Sequence, residues 1–368
     1  MKKISQIREY TVQDYSGDLL PELESVWKQL EQGQDMTAFQ SYDWYLNLQA
    51  VHQAEHTKNL FRELRYITVS DETGPVLIAP MEIHKFGVGY KKYGAPRGVY
   101  FIGRLGYTDY LNFIYDAFDP HALQILIDYV CDAYSQRKFC FDRMLESTAS
   151  YQYLSNTYSG ACMPVQCAAL VLPDTFADYK SLLSKSTKQN IRTANNRAKK
   201  NEIVLTHELI HDEDTATKEK IITLNAQRRE KKNKASRAQM SFAGRIYCFF
   251  AEIYRKLFAV PLDVVRVSKN TFCFLVKNGE EIVSFFWGIR NDYLHEYYVI
   301  LAGVDKEYEW YSPNISHLYL FIEEYYQNPD NCIRMIDFTR GGEGYKKTIG
   351  CTERPVFSFV FDCKNKIT

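Results

Sequence analysis

The residues best able to do chemistry cluster between 295 and 346. Asp337 follows Ile333, Met335 and Ile336 and is followed by Gly341, Gly342, Gly344, Tyr345 and Lys346. An ionised carboxylate ending a buried strand is costly unless paired or hydrogen-bonded, so Asp337 needs a partner or a catalytic task. The glycines permit positive φ and close approach to a ligand, and Tyr345 and Lys346 supply a hydroxyl and a cation just beyond. Lys346 suits an anionic group, phosphate or carboxylate. The plainer alternatives are a structural link from Asp337 to the glycine turn and a surface lysine. Upstream, His295 and Glu296 lie on one strand, where alternation sends the two side chains to opposite faces. Glu296 is the first choice for a general base, with a cross-strand ion pair as the plain alternative.

Between these segments lies Ser312-Pro313. Serine can cap a helix, and proline suits the first helical position because it has no N–H to lose. Ile315, Leu318, Ile322 and Tyr325 then recur at helical spacing and give one buried face. The N-terminus of such a helix can receive a phosphate or a thioester oxyanion. From Lys180 to Lys200 there are seven basic residues and no acidic one, and Lys185, Lys188 and Arg192 share a helical face. That face can grip phosphates or can simply be solvated. Arg228 to Arg237 forms a second basic cluster.

The elements that must position these groups occur twice. Leu64 to His84 reads as a hairpin turning at Asp71 to Pro75, followed by a strand at Asp109 to Tyr115, a helix at Pro120 to Gln136 and a strand at Phe139 to Leu145. The order returns as a strand from Thr271 to Lys277, a turn at Asn278-Gly279, strands Glu281 to Arg290 and Tyr293 to Leu301, a helix from Ser312 and a strand Ile333 to Phe338. Helical sequence precedes each copy, at Leu19 to Gln32 and Tyr42 to His52, then at Phe176 to Lys200 and Asp214 to Ala226. The expectation is an α/β (α+β) chain of two tandem units, 1–160 and 161–368, joined between Ser150 and Pro173. Each unit is a mixed, mostly antiparallel sheet flanked by helices.

Composition sets the limits. At 368 residues, two domains are the natural division. With 45 basic and 45 acidic residues the net charge is zero, so attraction to nucleic acid or anionic membrane has to be local. No run of 18 apolar residues and no signal-like N-terminal core occurs, which points to a cytoplasmic protein. Nine cysteines without a CxxC pair fit neither a disulfide framework nor a zinc knuckle, and no metal is expected.

The Ser-Pro helix start together with Asp337 through Lys346 resembles the GNAT-fold acyltransferases of the CelD-like and BioF-like group, relatives of the Fem peptidyltransferases with tandem GNAT halves. Phe39-Gln40-Ser41 with Trp44, Tyr107-Thr108-Asp109-Tyr110 and the basic Ser184 to Lys200 segment extend the resemblance over nearly the whole chain. Asn314 stands where a glycine often follows Ser-Pro, and the Arg-x-x-Gly-x-Gly pyrophosphate loop of ordinary GNAT enzymes is absent.

The resemblance implies acyl transfer to an amine, with acetyl-CoA or another acyl-CoA as co-substrate and a small-molecule, sugar or amino-acid-like acceptor. The catalytic candidates are Glu296, Asp337 and Tyr345. Binding falls to Lys188, Arg192, Tyr311, Ser312, Gly341, Gly342 and Lys346, with Asp109 and Tyr110 near the acceptor. The alternatives are an aminoacyl-tRNA-dependent, Fem-like peptidyltransferase, the one case in which nucleic acid is a partner, and a degenerate, non-enzymatic binding module.

Overall fold

The computed structural model describes residues 9–53, 62–84, 97–104, 108–238, 241, 264–328 and 332–367. Two compact units result: described residues up to Val165 and from Pro355 onward form the first, and those from Gln166 to Arg354 the second. The last segment, grouped by sequence with 161–368, is thus part of the N-terminal unit.

The first unit begins with β1 (Thr11–Ser16), α1 (Glu24–Leu30) and α2 (Tyr42–Gln53). Then come β2 (Arg62–Asp71), β3 (Gly74–His84), β4 (Gly98–Phe101), α3 (Pro120–Tyr134), β5 (Lys138–Leu145), α4 (Ala149–Thr157) and the start of β6 (Tyr158–Val171). The second unit takes the end of β6, then α5 (Phe176–Leu182), α6 (Lys185–Lys200), β7 (Leu205–His211) and α7 (Thr215–Ala238). It continues with α8 (Val264–Val267), β8 (Thr271–Asn278), β9 (Glu281–Asn291), β10 (Glu296–Val304), α9 (Pro313–Tyr325), β11 (Met335–Arg340) and α10 (Gly344–Thr348). The closing strand is β12 (Thr352–Lys366), most of which lies in the first unit.

The two units share one plan. In the first, β1, β2, β3 and β4 form an antiparallel meander, α3 crosses over, and β5 lies parallel to β4 and antiparallel to β12. In the second, β7, β8, β9 and β10 form the meander, α9 crosses over, and β11 lies parallel to β10 and antiparallel to the end of β6. The tandem repeat expected from sequence is present.

Local chemistry explains most of the boundaries. Asp119 caps α3 by accepting from His121 N at 2.9 Å, with Pro120 at the first helical position. The expected helix Phe176 to Lys200 divides at Leu183, because Ser184 accepts from Thr187 N at 3.0 Å and starts α6 afresh. The strand expected from Tyr293 begins only at Glu296, after His295 takes a left-handed φ of 55°. The strand expected at Asp109 to Tyr115 is corrected as well: apart from one bridge, Ile114 to Ile78, that stretch is irregular. The fourth strand of the meander is instead Gly98–Phe101. The core of the second unit packs Phe274, Val283, Phe286 and Phe338 of the sheet against Leu318 and Ile322 of α9.

Candidate functional site

The site follows from a divergence between two parallel strands. β10 and β11 pair only over Glu296, Tyr297 and Tyr298 against Met335, Ile336 and Asp337. Beyond this, Thr339 Oγ1 donates to Val299 O at 2.8 Å. β10 then shifts register between Val299 and Leu301, and Thr339 adopts φ 50°. The C-terminal ends therefore part, which is where parallel α/β structures open crevices for ligands. A cavity of about 280 Å³ lies there, lined by Arg228, Ala302, Gly303, Val304, Glu309, Ser312, Pro313, Asn314, Ile315 and Tyr345.

One wall is the N-terminus of α9, where Pro313 has no N–H, Asn314 carries the first backbone N–H of the helix, and the Ile315 and Ser316 N–H groups already donate to Ser312 O at 3.2 and 3.1 Å. Ser312 does not cap it, contrary to expectation: the residue is left-handed (φ 45°, ψ 50°), its hydroxyl makes no cap bond, and its carbonyl accepts from Ser316 Oγ at 3.0 Å. Asn314 fixes the helix start to the sheet. Its Oδ1 accepts from Ser284 Oγ and its Nδ2 donates to Gly303 O at 3.4 Å. Tyr311, in the turn before α9, accepts from Asn201 Nδ2 at 2.7 Å, and Arg197 stacks over the Trp310 ring at 4.0 Å.

Opposite stand Tyr345 and Arg228. Burial raises the Tyr345 hydroxyl well above the usual phenol range, and the charge of Glu343 adds to this against Arg228, so the group is a neutral donor at physiological pH. Arg228 Nη1 donates to Ala302 O on β10. Within the Arg228 to Arg237 cluster, Arg228 is the residue whose side chain falls among those described.

Other residues singled out by sequence are engaged elsewhere. Lys346 is 2% exposed, and its Nζ donates to the carbonyls of Phe338 (2.9 Å), Thr339 (3.1 Å), Arg340 (2.9 Å) and Gly341 (3.1 Å). Glu343 Oε2 sits 3.2 Å away. An ammonium with three protons and five oxygens around it has nothing left for a substrate anion; Lys346 staples the strand end to the glycine turn. Asp337, fully buried, accepts from Arg354 Nη1 at 2.6 Å and from Thr339 N at 2.6 Å, the bonding of a structural link. Gly341 (φ 124°) and Gly342 face their own chain: an added Cβ would lie 2.0 Å from the Glu343 carboxylate and 2.3 Å from Gln166 Oε1, respectively.

Glu296 accepts from the Tyr298 hydroxyl, and burial raises its pKa against the opposing effects of Tyr298 and Arg354. It lines a separate cleft of about 700 Å³ with Pro173, Tyr326 and Met335. It lies six positions before Ala302, roughly 20 Å along an extended strand, so it does not meet Tyr345 across the smaller cavity.

On α6, Thr187, Ile191 and Ala194 are buried, which turns the half-buried Lys188 and the exposed Arg192 away from the core. Asp109 and Tyr110 belong to the N-terminal unit. There Tyr110 O accepts from Gln40 Nε2 at 2.6 Å, Thr108 Oγ1 accepts from Trp44 Nε1 at 3.1 Å, and Asp109 Oδ1 lies 3.7 Å from Arg143 Nε. The Phe39-Gln40-Ser41 and Trp44 signature thus holds the Thr108-Asp109-Tyr110 segment in place, while Tyr107 lies outside the described residues. Among the described residues, no group of three or more His, Cys, Asp or Glu side chains is disposed to hold a metal. Nor, among the described residues, is any helix long and apolar enough to cross a membrane.

An antiparallel meander, a crossover helix with its N-terminus at the divergence, and a parallel strand define the fold of GNAT acyltransferases. Residues 185–347 match the family model of the acetyltransferase (GNAT) domain. No curated protein sequence matches. Among solved structures, FemX aligns at 12% identity over 94% of this chain and 96% of its own, with a TM-score of 0.52. The C-terminal domain of a putative lysylphosphatidylglycerol synthetase from Agrobacterium fabrum aligns at 9% identity over 92% and 91%, with a TM-score of 0.50. At such identities the likeness is one of fold.

Proposed function

We propose that the C-terminal unit transfers an acyl group from acyl-CoA to an amine of a small acceptor, in the cavity between α9, β10 and Tyr345. The observation that carries this reading is the convergence of a helix N-terminus and a neutral, buried-side tyrosine hydroxyl on one cavity at the strand divergence. Acyl transfer needs a donor for the developing oxyanion and an acid for the leaving group. The Asn314 N–H, at the positive end of the α9 dipole, serves the first need. Tyr345 serves the second, giving its proton to the departing thiolate. Arg228 supplies positive charge to the donor, and Glu309 is the lining carboxylate able to accept the ammonium proton of the acceptor, directly or through water.

A second reading, an aminoacyl-tRNA donor, has one observation in its favour. Asp305, Glu307 and Glu309 precede α9, and this acidic stretch repels a pyrophosphate. The basic face of α6 offers phosphate contacts instead. The two readings separate in a transfer assay with purified protein: acetyl-CoA consumption with an amine acceptor panel supports the first. Transfer only from charged tRNA, sensitive to reversal of Lys188 and Arg192, supports the second.

A further inference from the structure

We infer that Cys131 and Cys363 form a dithiol site which hydrogen peroxide converts to a disulfide, tying α3 to β12 within the N-terminal unit. Their Sγ atoms lie 2.7 Å apart although 232 positions separate them in the chain. Both are half-buried, so a small oxidant reaches them without unfolding. The backbone holds them in register. Cys363 N donates to Arg137 O at 2.9 Å, and β12 pairs with β5 at Asp362 and Lys138. Arg137 lies just past the left-handed Ser135 that ends α3, the helix bearing Cys131. The strand carrying one thiol is therefore hydrogen-bonded to the turn leaving the helix that carries the other, which keeps the two thiols adjacent. Other thiols differ: Cys162 is exposed and lies 3.2 Å from the Tyr151 hydroxyl, and Cys140 is buried.

The chemistry balances in two steps. One sulfur attacks a peroxide oxygen, the O–O bond breaks, and the thiol proton leaves with the second oxygen as water, giving a sulfenic acid. The other sulfur then attacks the sulfenic sulfur, its proton departs with the hydroxide as a second water, and the S–S bond forms. Each sulfur loses one electron, and the peroxide gains two. The link closes a loop containing the whole C-terminal unit, which lowers the entropy of the unfolded chain.

The test is peptide mapping of the full-length protein by mass spectrometry after hydrogen peroxide and iodoacetamide, with Cys131→Ser and Cys363→Ser as separate variants. The expected result is one cross-linked peptide pair joining Cys131 to Cys363, its loss in either variant, and a higher melting temperature that dithiothreitol reverses. The map of the unsubstituted protein stands alone if a variant fails to fold. The inference is overturned if both thiols remain alkylatable while Cys162 is oxidised, or if either pairs predominantly with another cysteine.

Discussion

Replacing Lys346 with methionine separates a structural role from a binding role. The substitution keeps the stem and removes the ammonium that donates to four carbonyls. Two of those carbonyls, Phe338 and Thr339, are joined to it by fully buried bonds, and an orphaned buried acceptor costs about 1–3 kcal/mol. Allowing the exposed side of the turn to recover water, the loss is about 4 kcal/mol. For a domain of this size each kcal/mol moves the melting temperature by about 2–4 °C, so thermal unfolding followed by circular dichroism should fall by roughly 8–16 °C. Residual kinetics at a temperature where the variant is folded should keep KM near that of the parent. An unchanged melting temperature with a raised KM would refute the staple and restore Lys346 to the substrate.

Tyr345→Phe should lower kcat about 100-fold or more with little change in melting temperature, because it removes a proton donor without emptying the site. Asp337→Asn should cost several kcal/mol by leaving Arg354 without its carboxylate, about 3–5 by analogy with broken buried pairs, and adding Arg354→Met should return part of that stability. Stability should also depend on His317, which burial and the facing His207 hold down to about 4 from 6.5. Its folded pKa is depressed, so the unfolded chain binds the proton more readily: stability is full above about pH 6.5 and falls by about 1.4 kcal/mol per unit down to about pH 4. Glu324, bonded to His207 at 3.1 Å, shares that cluster, and denaturant titrations of the parent and His317→Gln across this range should show the slope vanish in the variant.

The second unit was largely legible because its signals are local. Alternation marks β8, β9 and β10, Asn278-Gly279 marks the hairpin, and Ser-Pro marks α9, all within windows of about a dozen residues. What sequence could not supply is partnership across distance. Phe357, Phe359 and Phe361 alternate as a strand should, yet their pairing with β5 spans the whole second unit. Lys346 and Asp337 were recognisable as groups needing partners, but nothing in the pattern shows that the lysine turns back onto carbonyls or that Arg354 arrives from β12. Arg228 carried a signal, a basic cluster, without any indication that its head reaches Ala302. Glu296 was read by strand alternation, which gives a face but not which end of the strand the cavity occupies.

The most direct test of the central claim is calorimetric titration of the full-length protein with acetyl-CoA, repeated with Arg228→Ala and Tyr345→Phe. The account predicts saturable binding that weakens in Arg228→Ala, survives in Tyr345→Phe and is accompanied in that variant by loss of turnover. Absence of binding by folded protein, or binding indifferent to Arg228, would contradict an acyl-CoA site between α9 and Tyr345.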